Sequence, residues 1–310
     1  MQRDVRRLPL ITLAVGVAWA LAGCHGSSGM RTPGTAGAAG GEGGGAGAGA
    51  GTAGGGGSVA TNPCATALFC DDFETYTAGQ APGGSWTQNV NGGTVAVDTT
   101  QFHSGTKSVK FTTAAQANTK TAMIRLAATS VFPVSGDMFY GRIMFRLAAA
   151  PTASVHWTLI QSAGVVPGQT YHAVYRYGGQ LPVMNGSTFV GSQLMANYDT
   201  PDSYGNKNTP GSDCWLHANQ VVVPVATWSC AEWQFDGSTN QMRFWLDGTA
   251  VDSLTMTGTG QGCVNAAANY TWTAPTFDHL DLGWESYQTD DARTLWIDDV
   301  VVSKTKIGCP

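Results

Sequence analysis

The chain has 310 residues, 41 of them glycine, and only 12% of its residues are charged, with a formal net charge of −5. That balance excludes a nucleic-acid role resting on a basic stripe. The glycine gathers near the N-terminus without a fixed period, which excludes a Gly-rich fibre.

Met1 to Arg7 is basic, and Leu8 to Ala22 is an apolar run of signal-peptide length, short of the roughly 20 residues a spanning helix needs. The run ends in Leu21-Ala22-Gly23-Cys24, a lipobox in which small residues permit cleavage and Cys24, as the new N-terminus, takes the acyl chains. Residues 1–23 are thus expected to be a lipoprotein signal peptide, with Cys24 the lipidation site. His25 in place of aspartate points to a lipid-anchored protein on the outer membrane surface of a diderm cell.

Residues 24–63 form a Gly/Ala-rich linker. From Gly26 to Ser58 only Met30, Arg31, Pro33 and Glu42 interrupt Gly, Ala, Ser and Thr, so the segment lacks the apolar mass to offset ordering entropy. It is expected to be a disordered tether with a reach of about 30 to 35 Å. Of the seven cysteines, Cys64, Cys70, Cys214, Cys230, Cys263 and Cys309 remain once Cys24 is acylated. An even set outside the cytoplasm predicts three disulfides, with Cys64 and Cys70 stapling the entry and Cys309 tying down the end. Zinc is disfavoured because no CxxC pair or paired-histidine spacing occurs.

Residues 64–310 alternate with period two between Gly, Pro, Asn and Asp clusters, which predicts one all-β domain, a two-sheet antiparallel sandwich. It opens on Asp71-Asp72-Phe73-Glu74 and closes on Trp296-Ile297-Asp298-Asp299-Val300-Val301-Val302-Ser303. These acidic brackets suggest that the first and last strands lie side by side with a hard cation between them. The turn His103 to Ser108, followed by the strand Val109 to Thr112, can supply further oxygens.

Downstream, Phe139 to Leu147 places Phe139, Ile143, Phe145 and Leu147 on one face. Strands are also predicted at Val155–Ile160, Tyr171–Tyr177, Val221–Val225, Ala231–Phe235, Gln241–Leu246 and His279–Glu285, with a hairpin turn at Asp247-Gly248. Several of them share a face of Arg, His, Tyr and Trp, which suits a saccharide groove in which rings stack on sugar faces and guanidinium groups fork onto carboxylates. Arg243, Trp245, Trp284 and Tyr175 are the candidate carbohydrate-binding residues.

Elimination at a uronate needs a group that neutralises the carboxylate, a base for the neighbouring proton and an acid for the leaving oxygen. The densest supply lies between Val155 and Gln180. His172, Val174 and Arg176 share one strand face and Tyr171, Tyr175 and Tyr177 the other, and alternation leaves open which face is the groove. Glycoside hydrolysis ranks lower. Asp281 and Glu285 share a face, but four strand residues span roughly 13 Å, whereas retaining carboxylates sit about 5 to 5.5 Å apart.

The DDFE opening, the HSGTKSVKF turn and strand, Trp228 to Trp233 leading to Phe244 to Gly248, and the terminal WIDDVVVS resemble the core domain of the fungal cellulose-induced protein. That family has a concanavalin-A-like jelly roll related to glucuronan lyases. The resemblance implies a structural calcium, with Glu74, Ser104, Lys107 and Asp298 as the ligand region and Asp72 and Asp299 as fallbacks. It also implies a concave groove for carbohydrate binding or polysaccharide β-elimination, and it favours His156, Arg176 and Gln180 as catalytic residues with Tyr177 as the acid. The expected partner is a plant or microbial glycan containing uronic acid, bound by a surface-tethered monomer. The alternative is a surface lipoprotein serving adhesion without turnover.

Overall fold

The computed structural model describes residues 62–200, 212–264 and 270–310. The leader, Cys24 and the glycine-rich segment through Thr61 lie outside the described residues. The first strands are β1 (Phe69–Asp71), β2 (Trp86–Asn91), β3 (Gly93–Asp98), β4 (Ser108–Thr113), β5 (Lys120–Leu126) and β6 (Met138–Leu147). The middle of the domain supplies β7 (Trp157–Val165), β8 (His172–Asn185), β9 (Thr188–Asp199), β10 (Ser212–Val222), β11 (Ser229–Asp236) and β12 (Gln241–Leu246). Then follow β13 (Thr249–Ala250), β14 (Met256–Thr257), β15 (Gly262–Val264), β16 (Thr276–Ser286) and β17 (Arg293–Ser303).

One sheet has the order β13-β12-β11-β6-β17-β4-β3, with β1 on β17 and β14 on β12; the other runs β15-β10-β9-β8-β7-β16-β5-β2. This is the antiparallel two-sheet sandwich that period-two alternation predicts. The acidic brackets do meet: β1 pairs with β17, Phe69 opposite Val302 and Asp71 opposite Val300. A bulge falls between Asp298 and Val301, and Asp299 takes φ +50°, a left-handed conformation that aspartate tolerates better than most residues. The bulge changes the alternation, so Leu295 and Ile297 before it and Val300 and Val302 after it all reach the core.

The core lies between the sheets. Phe139, Ile143, Phe145 and Leu147 enter it from β6 and Met242 and Phe244 from β12, leaving Arg243 exposed and Trp245 half-buried outside. Large aromatic side chains dominate it: Trp157 stacks on Trp284 at 4.8 Å and Tyr198 on Trp272 at 4.7 Å, each pair contributing roughly 0.5 to 1.5 kcal/mol beyond its buried area. Asp247 and Gly248 both take positive φ, as a tight hairpin turn between β12 and β13 requires.

Two sequence expectations are corrected. Val221–Val225 is no strand of its own, because β10 ends at Val222 and the Val223 amide donates to Ser192 of β9 (2.9 Å) before the chain turns at Ala226, φ +57°. Tyr175, Tyr177 and Trp284, expected in the groove, lie in the core. Their ring faces are the largest apolar areas on β8 and β16, and the tyrosine hydroxyls find internal partners: Tyr177 donates to Leu254 O (3.4 Å), and Tyr175 accepts from Trp272 Nε1 (3.4 Å).

The disulfides are Cys64–Cys70, Cys214–Cys263 and Cys230–Cys309. The last anchors the C-terminal tail on β11, where Glu232 Oε1 also accepts from the amides of Ile307 (2.6 Å) and Gly308 (3.0 Å). Cross-linking residues 79 apart restricts the unfolded chain by on the order of 4 kcal/mol.

Candidate functional site

The outer face of the eight-stranded sheet is polar where the inner face is aromatic. Since Ala173, Tyr175 and Tyr177 of β8 point inward, alternation turns Val174 and Arg176 outward. They line a cleft of about 400 Å³ with Asn89, Asn91, Thr119, Thr121, Arg125, Gln161 and Glu285. A chain of hydrogen bonds crosses its floor. Arg125 binds Asp281 through Nε (2.7 Å) and Nη2 (2.8 Å), and Gln161 Nε2 donates to the same carboxylate (3.0 Å). Gln161 Oε1 accepts from Arg176 Nε (3.0 Å), and Arg176 Nη1 donates to Asn197 Oδ1 (3.1 Å) and Asp199 Oδ2 (2.7 Å). Asn197 Nδ2 then reaches Asp213 Oδ1 (2.8 Å).

This ladder fixes Arg176. Its burial opposes the charge, but Tyr287, Asp199 and Glu285 outweigh burial and raise its pKa, so the guanidinium is always a cation. Among the described residues its Nη2 makes no hydrogen bond, so this edge remains for a ligand. Asp213 is pushed up by burial and then by the neighbouring Asp199.

Two bulges re-aim the neighbouring strands. One lies between Thr158 and Ile160 of β7 in its ladder with β8, and the other between Leu282 and Glu285 of β16 in its ladder with β7, where it brings Glu285 opposite Thr158. Gly178 makes the first possible, since a Cβ there would lie 1.9 Å from Trp157 O. Just past β16, Tyr287 anchors its amide on His156 O (3.0 Å), and its hydroxyl donates to Glu285 Oε2 (2.7 Å) and lies 3.0 Å from Thr158 Oγ1. The Tyr287 ring meets the His156 ring at a centroid distance of 4.7 Å, and the Arg176 guanidinium lies 5.7 Å from its centre.

His156 is half-buried beside these groups. Burial first, and then the positive charge of Arg176, press its pKa down to about 3, so the imidazole is neutral at neutral pH. Asp199 and His217 also lie within its electrostatic reach. His217 Nε2 sits 3.3 Å from Gln180 Oε1, which places Gln180 on the same face as Arg176. One face of the sheet thus carries His156, Arg176, Gln180 and a tyrosine hydroxyl, with Arg176 alone of these lining the cleft and the hydroxyl belonging to Tyr287.

Alternation could have found Tyr287, since it shares parity with Asp281 and Glu285 on the strand predicted from His279. Asn197, Asp199 and His217 carried no such signal, because their strands follow no polar-apolar pattern. Arg243 and Trp245 are on the outer face of the other sheet, where Tyr140 flanks Trp245 and Lys306 covers its ring at 4.4 Å. The carbohydrate-binding set inferred from sequence is therefore split among one outer face and the core.

The expected calcium ligands form a clamp on the turn at 103–107. Glu74 Oε1 accepts from the amides of Thr106 (2.8 Å) and Lys107 (2.7 Å), and Oε2 accepts from Thr106 Oγ1 (2.7 Å). These bonds, led by those from Thr106, hold the Glu74 carboxyl below its ordinary pKa. Asp298 Oδ2 accepts from the amides of His103 (2.8 Å) and Ser104 (3.1 Å), and Oδ1 from that of Asp299 (2.8 Å). Ser104 Oγ donates to Asp299 Oδ1 (2.7 Å), and the Lys107 side chain has only donors. Calcium takes six to eight oxygens. Here the carboxylate oxygens are committed to N–H and O–H groups, and no three His, Cys, Asp or Glu side chains among the described residues cluster to hold a metal. As placed, Glu74, Ser104, Lys107 and Asp298 do not fit a calcium shell.

Two solved structures share the fold. The cellulose-induced protein Cip1 is 22% identical, with 78% of this chain and 100% of that chain covered and a TM-score of 0.53. The endo-β-1,4-glucuronan lyase from the fungus Trichoderma reesei is 16% identical, with 78% and 98% covered and a TM-score of 0.50. No curated protein matches the chain. Residues 72–305 match the Cip1-like core domain of the polysaccharide lyase-like type, and with most of its length so matched the chain belongs to that family.

Proposed function

We propose that the chain binds a polysaccharide containing uronic acid along the outer face of the eight-stranded sheet and cleaves it by β-elimination. The observation that carries this reading is the placement of His156, Arg176, Gln180 and the Tyr287 hydroxyl on one face beside the cleft, in a family typed as polysaccharide lyase-like. Arg176 Nη2 takes the uronate carboxylate and draws charge from the adjacent carbon. His156 removes that carbon's proton, and a double bond forms to the next ring carbon as its bond to the glycosidic oxygen breaks. Tyr287 protonates the departing oxygen, and Glu285, already its acceptor, holds the hydroxyl in place. A bound carboxylate also offsets the field of Arg176, the second of the two influences that depress His156 after burial.

Purified protein mixed with glucuronan, alginate and pectate is expected to release unsaturated uronate, read by its ultraviolet absorbance. No product from any of them, with binding retained on a glycan array, would leave a binding module without turnover. That second reading is favoured by the hold of Glu285 on the proton Tyr287 must give up. Loss of both would favour adhesion.

The proposal also places the domain at the cell surface as a monomer held by lipid on Cys24. In an expressing diderm bacterium the parent chain is expected in the membrane fraction, and Cys24→Ser in the soluble fraction. A parent chain that is already soluble sinks the anchor.

A further inference from the structure

The turn clamped by Glu74 and Asp298 is built around a cation that the chain carries itself. Lys107 Nζ donates to Glu74 O (2.6 Å) and Tyr76 O (2.9 Å), two backbone carbonyls of the segment that follows β1. In return the Glu74 carboxylate accepts the Lys107 amide, so each residue's side chain satisfies the other's backbone. Gly105 lets the turn lie against Glu74: it takes φ +62°, and a Cβ there would meet Glu74 Oε1 at 2.4 Å. The Lys107 stem is partly buried, which directs its ammonium inward.

A cation held by two backbone carbonyls has the kind of oxygen ligands that a hard metal ion would take. The ammonium is already there. A divalent ion entering the same space would face its charge at contact distance and would have to displace two charge-assisted hydrogen bonds.

We infer that the Lys107 ammonium takes the place of a structural divalent cation in the bracket between the domain's first and last strands, so that this chain folds independently of metal. The bracket carbonyls keep their orientation toward a cation. Removing the ammonium while supplying an oxygen therefore turns the position into a divalent-cation site.

The test is a set of thermal melts on the full chain, in chelator and in millimolar calcium, with calcium binding followed by calorimetry. The parent chain is expected to melt at the same temperature in both and to bind no calcium. Lys107→Met keeps the stem and loses the charge, leaving two carbonyls short of a donor, and is expected to melt about 4 to 8 °C lower in either buffer. Lys107→Asn is expected to melt low in chelator and to recover in calcium, with one ion bound per chain. A parent melt that falls on chelation, a Lys107→Met melt equal to the parent's, or a Lys107→Asn chain indifferent to calcium would each overturn the inference. Uronate cleavage plays no part in these measurements, so failure here is separable from failure of the proposed activity.

Discussion

Replacing His156 with alanine is expected to lower turnover on the uronate polymer by about 10²- to 10⁴-fold, the range for loss of a positioned base, with polymer binding little changed. Binding should survive because His156 meets the site through the Tyr287 ring and Gln288 and is not part of the ladder that holds Arg176. Tyr287→Phe should show the same split, since the ring stays against His156 and only the proton donor is lost.

The pH behaviour sharpens the test. In the free protein His156 protonates only near pH 3, so kcat/KM should show no loss from imidazole protonation down to about pH 4. Between its ordinary 6.5 and about 3 the unfolded chain binds a proton that the folded chain refuses, so this residue makes the fold less stable as pH falls through that window. His156→Ala should flatten that part of the stability profile. Full turnover in His156→Ala, or a profile it leaves unmoved, counts against the assignment.

The largest combined effect is expected at Arg176. It is 6% exposed, is bonded to Gln161, Asn197 and Asp199, and lies on the face where Asp213 and Glu285 also sit. Arg176→Ala breaks the buried ion pair with Asp199 and the bonds to Gln161 and Asn197, which costs about 3 to 5 kcal/mol, or a melt lower by roughly 10 °C. Polymer binding should fall with it. Because a weakened fold could explain that fall, the informative variant is Arg176→Ala with Asp199→Asn. It removes the carboxylate charge that Arg176 partners and should recover much of the lost stability while leaving polymer binding as weak as in the single variant. A double variant that regains binding would show that Arg176 only supports the fold.

Much of the scaffold was legible because the signals are local. The stripe on β6 and the Asp-Gly turn after β12 each follow from a few consecutive residues. The bracket segments announced that the chain's ends pair, because charge inside an apolar strand demands a partner. β9 was illegible for the opposite reason: it buries Leu194, Ala196 and Tyr198 on one face and Met195 and Asn197 on the other, so no contrast between faces remains to be read.

By itself the sequence determined an all-β sandwich and the even set of cysteines that close three disulfides, while the family resemblance singled out His156, Arg176 and Gln180. Only the tertiary structure decided which way β8 faces. Alternation says that Arg176 and Tyr177 point apart, but only the second sheet, packed on the tyrosines, makes one side core and the other groove. The same holds for the partners that Tyr287 and Lys107 find. Their roles depend on bulges and turns that bring distant segments within hydrogen-bond reach, and a periodic pattern carries no information about where it is broken.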